Sequence, residues 1–463
     1  MTPEEFDALT RCYFWLFVRR VFAELEACGF HNNWHIEKLC AEVARLLSEP
    51  NTRLAVAMPP RSLKSIIISI ALPAWLLGHD PHLEIVCASY GQDLAEELAG
   101  KCRRIMQSAW YRRLFPKTVL ARHAAHHLLT SAGGKRHATS VGGPLTGMGA
   151  DIIIVDDPMK PGEAFSDAER TRTNEWTRHT LLTRHNDKRD MRTIIVHQRI
   201  HEDDVIGNVT ERGTFELISF PAIAQEDERI EIRTPFGMIT HTRREGEALH
   251  PEREPLEVLE TLRRTMGSAH FSPQYLQLPA PSGGAVVRPE WFGRYDPSAQ
   301  PKFWMVVQSW DTASKVTEAT DYSVCTTWGV DDAQRIYLLN VWRGKLNYPD
   351  LRRKIRELAL EFGATNVLIE DTASGIQLIQ ELAGEHFARI EGVKPRGPKE
   401  FRMRNQTAAI EAGRVLVPRE AHWLAGYFHE LELFPNGRHD DQVDSTSQAL
   451  EWIAMSSGPA RWL

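Results

Sequence analysis

The sequence predicts two successive α/β domains, a larger one on a parallel-type sheet and a smaller one on a mixed sheet. Short, nearly unbroken apolar runs alternate with helix-like segments through the first 200 residues. Strands that are apolar on both faces need cover on both, which crossover helices supply. From about Glu226 to Pro289 the texture turns charged and proline-punctuated, ending in Ala280-Pro-Ser-Gly-Gly284, and reads as a linker or lid. After Phe303, three strand-like runs precede a helix and a fourth strand, and this β-β-β-α-β order implies a mixed sheet.

The elements follow in order. Residues 1–50 are expected as a helical lead-in and 51–285 as the first domain with its lid. Residues 286–300 are expected as a linker and 301–463 as the second domain. Leu54–Met58 is a strand, followed by a loop and the Ile- and Leu-rich stretch Ser65–Leu77. Glu84–Ser89 is a second strand. Gln92–Gln107 repeats Leu94, Leu98, Cys102 and Ile105 at helical spacing. Asp151–Val155 and Arg192–His197 are further buried strands. In the second domain Met305–Trp310, Ser323–Val330 and Arg335–Trp342 are strands, with a turn at Val330-Asp-Asp-Ala333. Pro349–Phe362 carries Leu351, Ile355, Leu358 and Phe362 on one helix face. Asn366–Ile369 is the fourth strand, and a final helix runs to about Met455.

Composition narrows the function classes. The chain has 463 residues, 42% hydrophobic and 25% charged, which excludes wholesale disorder and collagen-like sequence. Lys+Arg 55 against Asp+Glu 61 gives −6, so this is no polycation, although a local basic groove on an acidic body still permits nucleic-acid binding. Six scattered cysteines without a Cys-x-x-Cys pair imply reduced thiols. The run Cys12–Val18 is too short to span a membrane and lacks signal-peptide flanks, so a cytoplasmic protein with no membrane partner is expected.

Two constellations carry chemistry. Met58-Pro-Pro-Arg-Ser-Leu-Lys-Ser65 joins a strand to a helix. Phosphate loops end in Gly-Lys-Ser/Thr so that backbone N–H groups and the helix start wrap the phosphates. Lys64 fits the residue reaching the β/γ oxygens and Ser65 the Mg²⁺ hydroxyl, while Met58 and Leu63 stand where the pattern has glycine. Ile152-Ile-Ile-Val-Asp156-Asp157 makes the signal more specific, because an apolar strand ending in two acids sets carboxylates at the sheet edge beside such a loop. Asp156 is expected to orient Mg²⁺ and Asp157 to position or activate water, with Glu163 as an alternative. By itself Asp156-Asp157-Pro158 is an ordinary strand end. Glycines 133, 134, 142, 143, 147 and 149 suit either a close backbone approach or plain turns. His197-Gln198-Arg199 ends the next strand, where Arg199 reads as a γ-phosphate sensor or a structural ion-pair residue.

The second constellation is acidic. Asp311 ends one strand, Glu370-Asp371 end another, and His439-Asp-Asp-Gln-Val-Asp444 opens the last helix. Carboxylates so placed can hold two divalent ions about 4 Å apart for phosphodiester cleavage. Asp311, Glu370 and Asp441 are expected to hold Mg²⁺ or Mn²⁺. Asp371 and Asp444 are further ligand candidates, Asp440 suits an N-cap, and Asp321 is weaker. The choice among the late aspartates is open, since Asp441 and Asp444 share a face at i, i+3. Lys394–Arg404 holds five basic residues and one acid, suiting a solvated loop or phosphate contact equally.

Together these motifs resemble the large terminase subunit of tailed bacteriophages and related prophage elements, over most of the chain. Pro59–Ser65 is similar to its variant Walker A loop, with Arg61 supplementing Lys64 and Ser62 inside the loop. Val155-Asp-Asp-Pro158 is similar to its Walker B and Val196-His-Gln-Arg199 to its coupling motif. His270–Gln277 resembles the segment before its linker. Trp310-Asp-Thr-Ala313, Ile369-Glu-Asp371 and His439–Asp444 resemble its RNase H-like nuclease motifs. The resemblance implies a P-loop NTPase domain followed by an RNase H-like nuclease domain. It implies an ATP-driven motor moving double-stranded DNA into a procapsid and cutting it, with a portal protein, a small terminase subunit and a homo-oligomeric ring. Leu63 departs from the family loop, because a Cβ there disfavours a left-handed backbone. The rival readings are a helicase-like repair ATPase–nuclease and a docking subunit with a non-hydrolysing loop.

Overall fold

The computed structural model describes residues 2–145, 147–279, 285–312, 322–371, 373–437 and 439–456. They fall into two compact units, Met1–Thr261 with Phe271–Ser282, and Leu262–His270 with Gly283–Leu463.

The first unit is organised by an eight-stranded sheet. Its strands are β1 (Arg53–Ala57), β2 (Glu84–Ser89), β3 (Leu120–His123), β4 (His127–Thr130), β5 (Lys135–Ser140), β6 (Ile152–Asp156), β7 (Arg192–His197) and β8 (Glu216–Ser219). They lie in the order β3-β4-β5-β2-β6-β7-β1-β8. The six strands from β5 to β8 are parallel, and β3 and β4 pair antiparallel at one edge. Alternation explains the unbroken apolar runs. On β6, Ile152 and Ile154 enter one core with Leu54, Val56 and Ile194. Ile153 and Val155 enter the other with Ala55 and Ile195.

The lead-in is helical at Pro3–Cys12, Phe14–Leu25 and Trp34–Ala44. After the loop that follows β1 the chain is helical from Lys64 to His79, with Ile66–Ala71 in π form. Pro73 has no amide to bond the Ser69 carbonyl four residues back. That carbonyl instead accepts from the buried Arg136 Nη2 at 3.1 Å. The expected lid region carries regular structure. It holds a hairpin, β9 (Glu228–Thr234) with β10 (Gly237–Arg243), and helices Leu256–Met266 and Ser268–Leu276. Most of the hairpin is exposed, so its strands lack the apolar runs that mark the central ones. Leu262–His270 clusters with the second unit, and Ala280–Gly284 lies outside the described residues.

The second unit contains β11 (Gly293–Tyr295), β12 (Met305–Asp311), β13 (Ser323–Val330), β14 (Ile336–Gly344), β15 (Asn366–Glu370), β16 (Arg389–Val393) and β17 (Val415–Pro418). Their order is β11-β17-β14-β13-β12-β15-β16. β12, β13 and β14 form an antiparallel meander, and β15 runs parallel to β12. The expected linker 286–300 is part of this unit: Val286 and Val287 are buried, and β11 pairs with β17. The final helix, Asp441–Ser456, puts Val443 and Leu450 into the core on one face of the sheet. Tyr348–Glu361 puts Ile355 and Leu358 into the core on the other. Among the described residues no helix is long and apolar enough to cross a membrane.

Candidate active sites

In the first unit β1 and β6 flank β7, so the loop after β1 and the acids ending β6 meet at one sheet edge. Arg61 and Leu63 have φ of 58° and 63°, the left-handed region that costs a residue with a Cβ about 1–2 kcal/mol. The loop adopts this conformation despite Leu63, whose side chain packs against the core and offsets part of the cost. Lys64 is buried, and its Nζ lies 2.6 Å from Asp157 Oδ1. His197 Nδ1–H donates to the same oxygen at 2.8 Å. Asp156 is fully buried and accepts from Ser69 Oγ at 2.7 Å.

The adjacent acids are pushed apart electrostatically. Burial, reinforced by the neighbouring Asp157 charge, raises Asp156 to about 6, although Lys64 and the Ser69 and Ser65 hydroxyls favour its ionised form. Burial opposes ionisation of Asp157 as well, but Lys64 and His197 outweigh it and lower the group to about 2. One carboxylate is therefore fixed as an anion while its neighbour retains proton affinity, the division seen where paired acids have different tasks. A cleft of about 660 Å³ opens here, within the range of small-ligand sites. Arg61, Lys64, Ser65, Asp157 and Gln198 line one side, and Phe22 and His250 lie among the other wall residues.

In the second unit, β12 and β15 are parallel with Trp310 opposite Ile369, so Asp311 and Glu370 emerge side by side at the same edge. The final helix brings a third acid. It is fixed by polar contacts inside the core: Ser445 Oγ donates to the Ser309 carbonyl at 2.8 Å, Thr326 N–H donates to Ser445 Oγ at 3.1 Å, and Gln448 Nε2 donates to Ser309 Oγ at 3.0 Å. Ser445 directly follows Asp444 and Gln448 lies one turn on, and Asp444 itself is 4% exposed. Asp311 is raised well above the ordinary carboxylate range by burial and by the charges of Asp444, Glu370 and Asp441. Burial and then Asp444 raise Glu370. Mutual repulsion of this kind marks a site built to receive positive charge.

The donor set consists of hard carboxylate oxygens and fits Mg²⁺ or a similar divalent ion. Among the described residues, however, no three His, Cys, Asp or Glu side chains close around a single ion position. Basic side chains engage some of the acids. Asp444 Oδ1 accepts from Arg402 Nη2 at 2.8 Å, and its Oδ2 lies 2.6 Å from Lys399 Nζ. Asp441 faces Arg343 at 3.7 Å.

Residues 308–452 match the family model of the terminase RNaseH-like domain. The second unit is similar to the RNase H-like domain of terminases. No curated protein matches the sequence. Among solved structures, the large terminase of a thermophilic bacteriophage superimposes with a TM-score of 0.51 at 10% identity, covering 89% of this chain and 98% of that one. The ADP complex of the same terminase gives 0.49 at 9% identity, covering 89% and 98%. The magnesium-bound large terminase nuclease of thermophilic phage G20c gives 0.29 at 16% identity, covering 37% and 98%. The 0.51 likeness is one of fold, and with the family match it bears out the resemblance to large terminase subunits. The fold is a largely parallel α/β domain of the kind in that terminase, followed by an RNase H-like domain.

Several sequence expectations separate at this level of detail. Arg61, Lys64, Ser65 and Asp157 line the cleft, Ser62 sits buried in the loop, and Asp156 lies beneath it. Glu163 instead pairs with Lys160 at 3.2 Å. Arg199 is taken by the buried Asp204 at 3.0 Å, the structural alternative, while its neighbour His197 touches Asp157. Gly133 and Gly142 sit in turns with φ of 97° and 78°, and neither lines the cleft.

Among the late aspartates the buried Asp444 is the main charge acting on both strand-end acids, whereas Asp441 acts on Asp311 alone. Asp440 pairs with Lys399 at 2.9 Å, Asp371 faces Lys394 at 3.6 Å, and Asp321 lies outside the described residues. Sequence reasoning passed over Ser69, although a lone hydroxyl among Ile66, Ile67, Ile68 and Ile70 is a legible signal. It likewise passed over Ser445 and Gln448.

Proposed function

We propose that the chain is a DNA-packaging motor subunit that hydrolyses ATP to translocate double-stranded DNA into a procapsid and cuts it with a metal-dependent endonuclease. The reading rests above all on the gathering of Asp311, Glu370 and Asp444 at one sheet edge within a terminase RNase H-like domain. In this reading Asp311, Glu370 and Asp444 hold Mg²⁺ or Mn²⁺, with Asp441 at the rim. The metal supplies Lewis acidity and an activated water when bound. Among the described residues Arg343 Nε and Nη2 are buried without a hydrogen-bond partner, Nη2 lying 3.7 Å from Asp441, and together they form the paired donor edge that would grip a phosphate.

In the first unit Lys64, Ser65 and the loop amides would hold the ATP phosphates, and Asp156 with Ser65 the Mg²⁺. Bound ATP supplies the transferable phosphoryl group. Lys64 would exchange its bond to Asp157 for phosphate oxygens, and Asp157, held by His197, would be left to orient water. The partners that follow are a portal protein, a small terminase subunit and further copies of this chain in a ring, in the host cytoplasm. A docking subunit with an inert loop is the second reading, favoured by the left-handed Leu63. Plasmid incubated with the full chain and Mn²⁺ tests the first: cleavage lost in Asp311→Ala supports it, and equal cleavage by both proteins refutes it. A melting temperature that ATP leaves unmoved selects the docking reading.

A further inference from the structure

Asp311 and Glu370 have no salt-bridge partner among the described residues, so the strand-end pair is open to a cation. Asp444 is occupied at both oxygens. Its two partners differ in character. Arg402 is buried, with a side chain 7% exposed, and it belongs to the packed interior. Lys399 is 49% exposed and reaches in from solvent to touch Asp444 and Asp440 together, at 2.6 and 2.9 Å. An ammonium bridging two carboxylates beside a pair of free ones does what a second metal ion would do. It neutralises Asp444, the acid it shares with the metal set, together with the adjacent Asp440, using a single charge on a flexible stem.

We infer that Lys399 stands in the place of the second divalent ion, so that the nuclease centre takes one ion readily and a second only when the lysine is displaced. The inference rests on the nuclease reading above and adds a positioning residue to it. Lys399 holds Asp444 in line while the second seat is unfilled, and it sets the concentration at which that seat fills.

The test counts ions rather than turnover. Mn²⁺ is titrated into the nucleotide-free full chain and followed by electron paramagnetic resonance and calorimetry, with Asp311→Asn identifying the ions that belong to this centre. The wild-type chain should take one ion, with a second at about tenfold or higher concentration, since a like charge must first leave. Lys399→Met should bring the second ion into the range of the first, and Lys399→Arg, which keeps the charge, should behave as wild type. Superimposable isotherms for wild type and Lys399→Met overturn the inference and leave the nuclease reading intact. Binding unchanged by Asp311→Asn overturns the nuclease reading itself.

Discussion

Replacing Asp311 by asparagine should stabilise the second unit in metal-free buffer while abolishing cleavage. Burial and the charges of Asp444, Glu370 and Asp441 hold the Asp311 carboxyl well above its ordinary range, with Lys399 opposing more weakly. The unfolded carboxyl titrates near about 3.9, so the folded state binds the proton more tightly and loses stability as pH rises from there through the folded pKa. Asparagine is nearly isosteric with the neutral acid and removes that loss. Each tenfold change in proton affinity is worth about 1.4 kcal/mol. With burial and three carboxylates acting in one direction, the gain should grow steadily from pH 4 to pH 8. For a domain of this size each kcal/mol gained is worth about 2–4 °C in melting temperature. Thermal melts in EDTA should show the two proteins nearly equal at pH 4 and furthest apart at pH 8. Added Mg²⁺ should reverse the order, because a ligand at 100 times its Kd stabilises only the protein that binds it, by about 2.7 kcal/mol. An Asp311→Asn protein no more stable than wild type in EDTA at pH 8 would refute the reasoning.

Three further outcomes follow from the same geometry. Lys64→Met removes the cation that meets both Asp157 and incoming phosphate, and should weaken ATP binding by about 2 kcal/mol, or some thirtyfold, read as a lost ATP-induced thermal shift. His197→Gln should leave ATP affinity within about threefold but lower kcat about 10- to 100-fold, because the imidazole acts through Asp157. An equal change in KM and kcat would contradict that role. Arg343→Met should weaken DNA binding and flatten the log–log salt dependence by about 1, as expected for one lost phosphate contact.

The parts of the fold that were legible in the sequence are those with buried strands. Ile152–Val155 could be read because both faces of β6 are apolar, and the register of β12 against β15 follows from two such runs ending in acids. The hairpin of β9 and β10 was not legible. In it only Ile232 and Arg243 are buried, and although Ile230 and Ile232 alternate with charged residues on β9, the two strands hold no apolar run of the kind that marks the central sheet. Val286 and Val287 were overlooked for the opposite reason, being two buried side chains in a stretch otherwise rich in turn-forming residues. At the acidic site the i, i+3 spacing put Asp441 and Asp444 on one helix face, and only the depth of the helix start separates the rim residue from the buried one. The segment Ser445–Gln448 is polar in sequence yet wholly buried, because its hydrogen bonds are made to the backbone and side chains of the sheet.

The π-form segment Ile66–Ala71 ties the nucleotide loop to the core by residue count. A π-turn accommodates an extra residue relative to an α-turn, and each residue of an α-helix advances the screw by about 100°. Leu72–Leu77 is buried on every side and cannot rotate. Winding the same residues as plain α-helix would therefore turn Lys64 and Ser65 by about 100° away from Asp157 without altering one functional side chain. Here chain length carries information of its own: the segment tolerates exchange among Ile, Leu and Val far better than a change in how many of them there are.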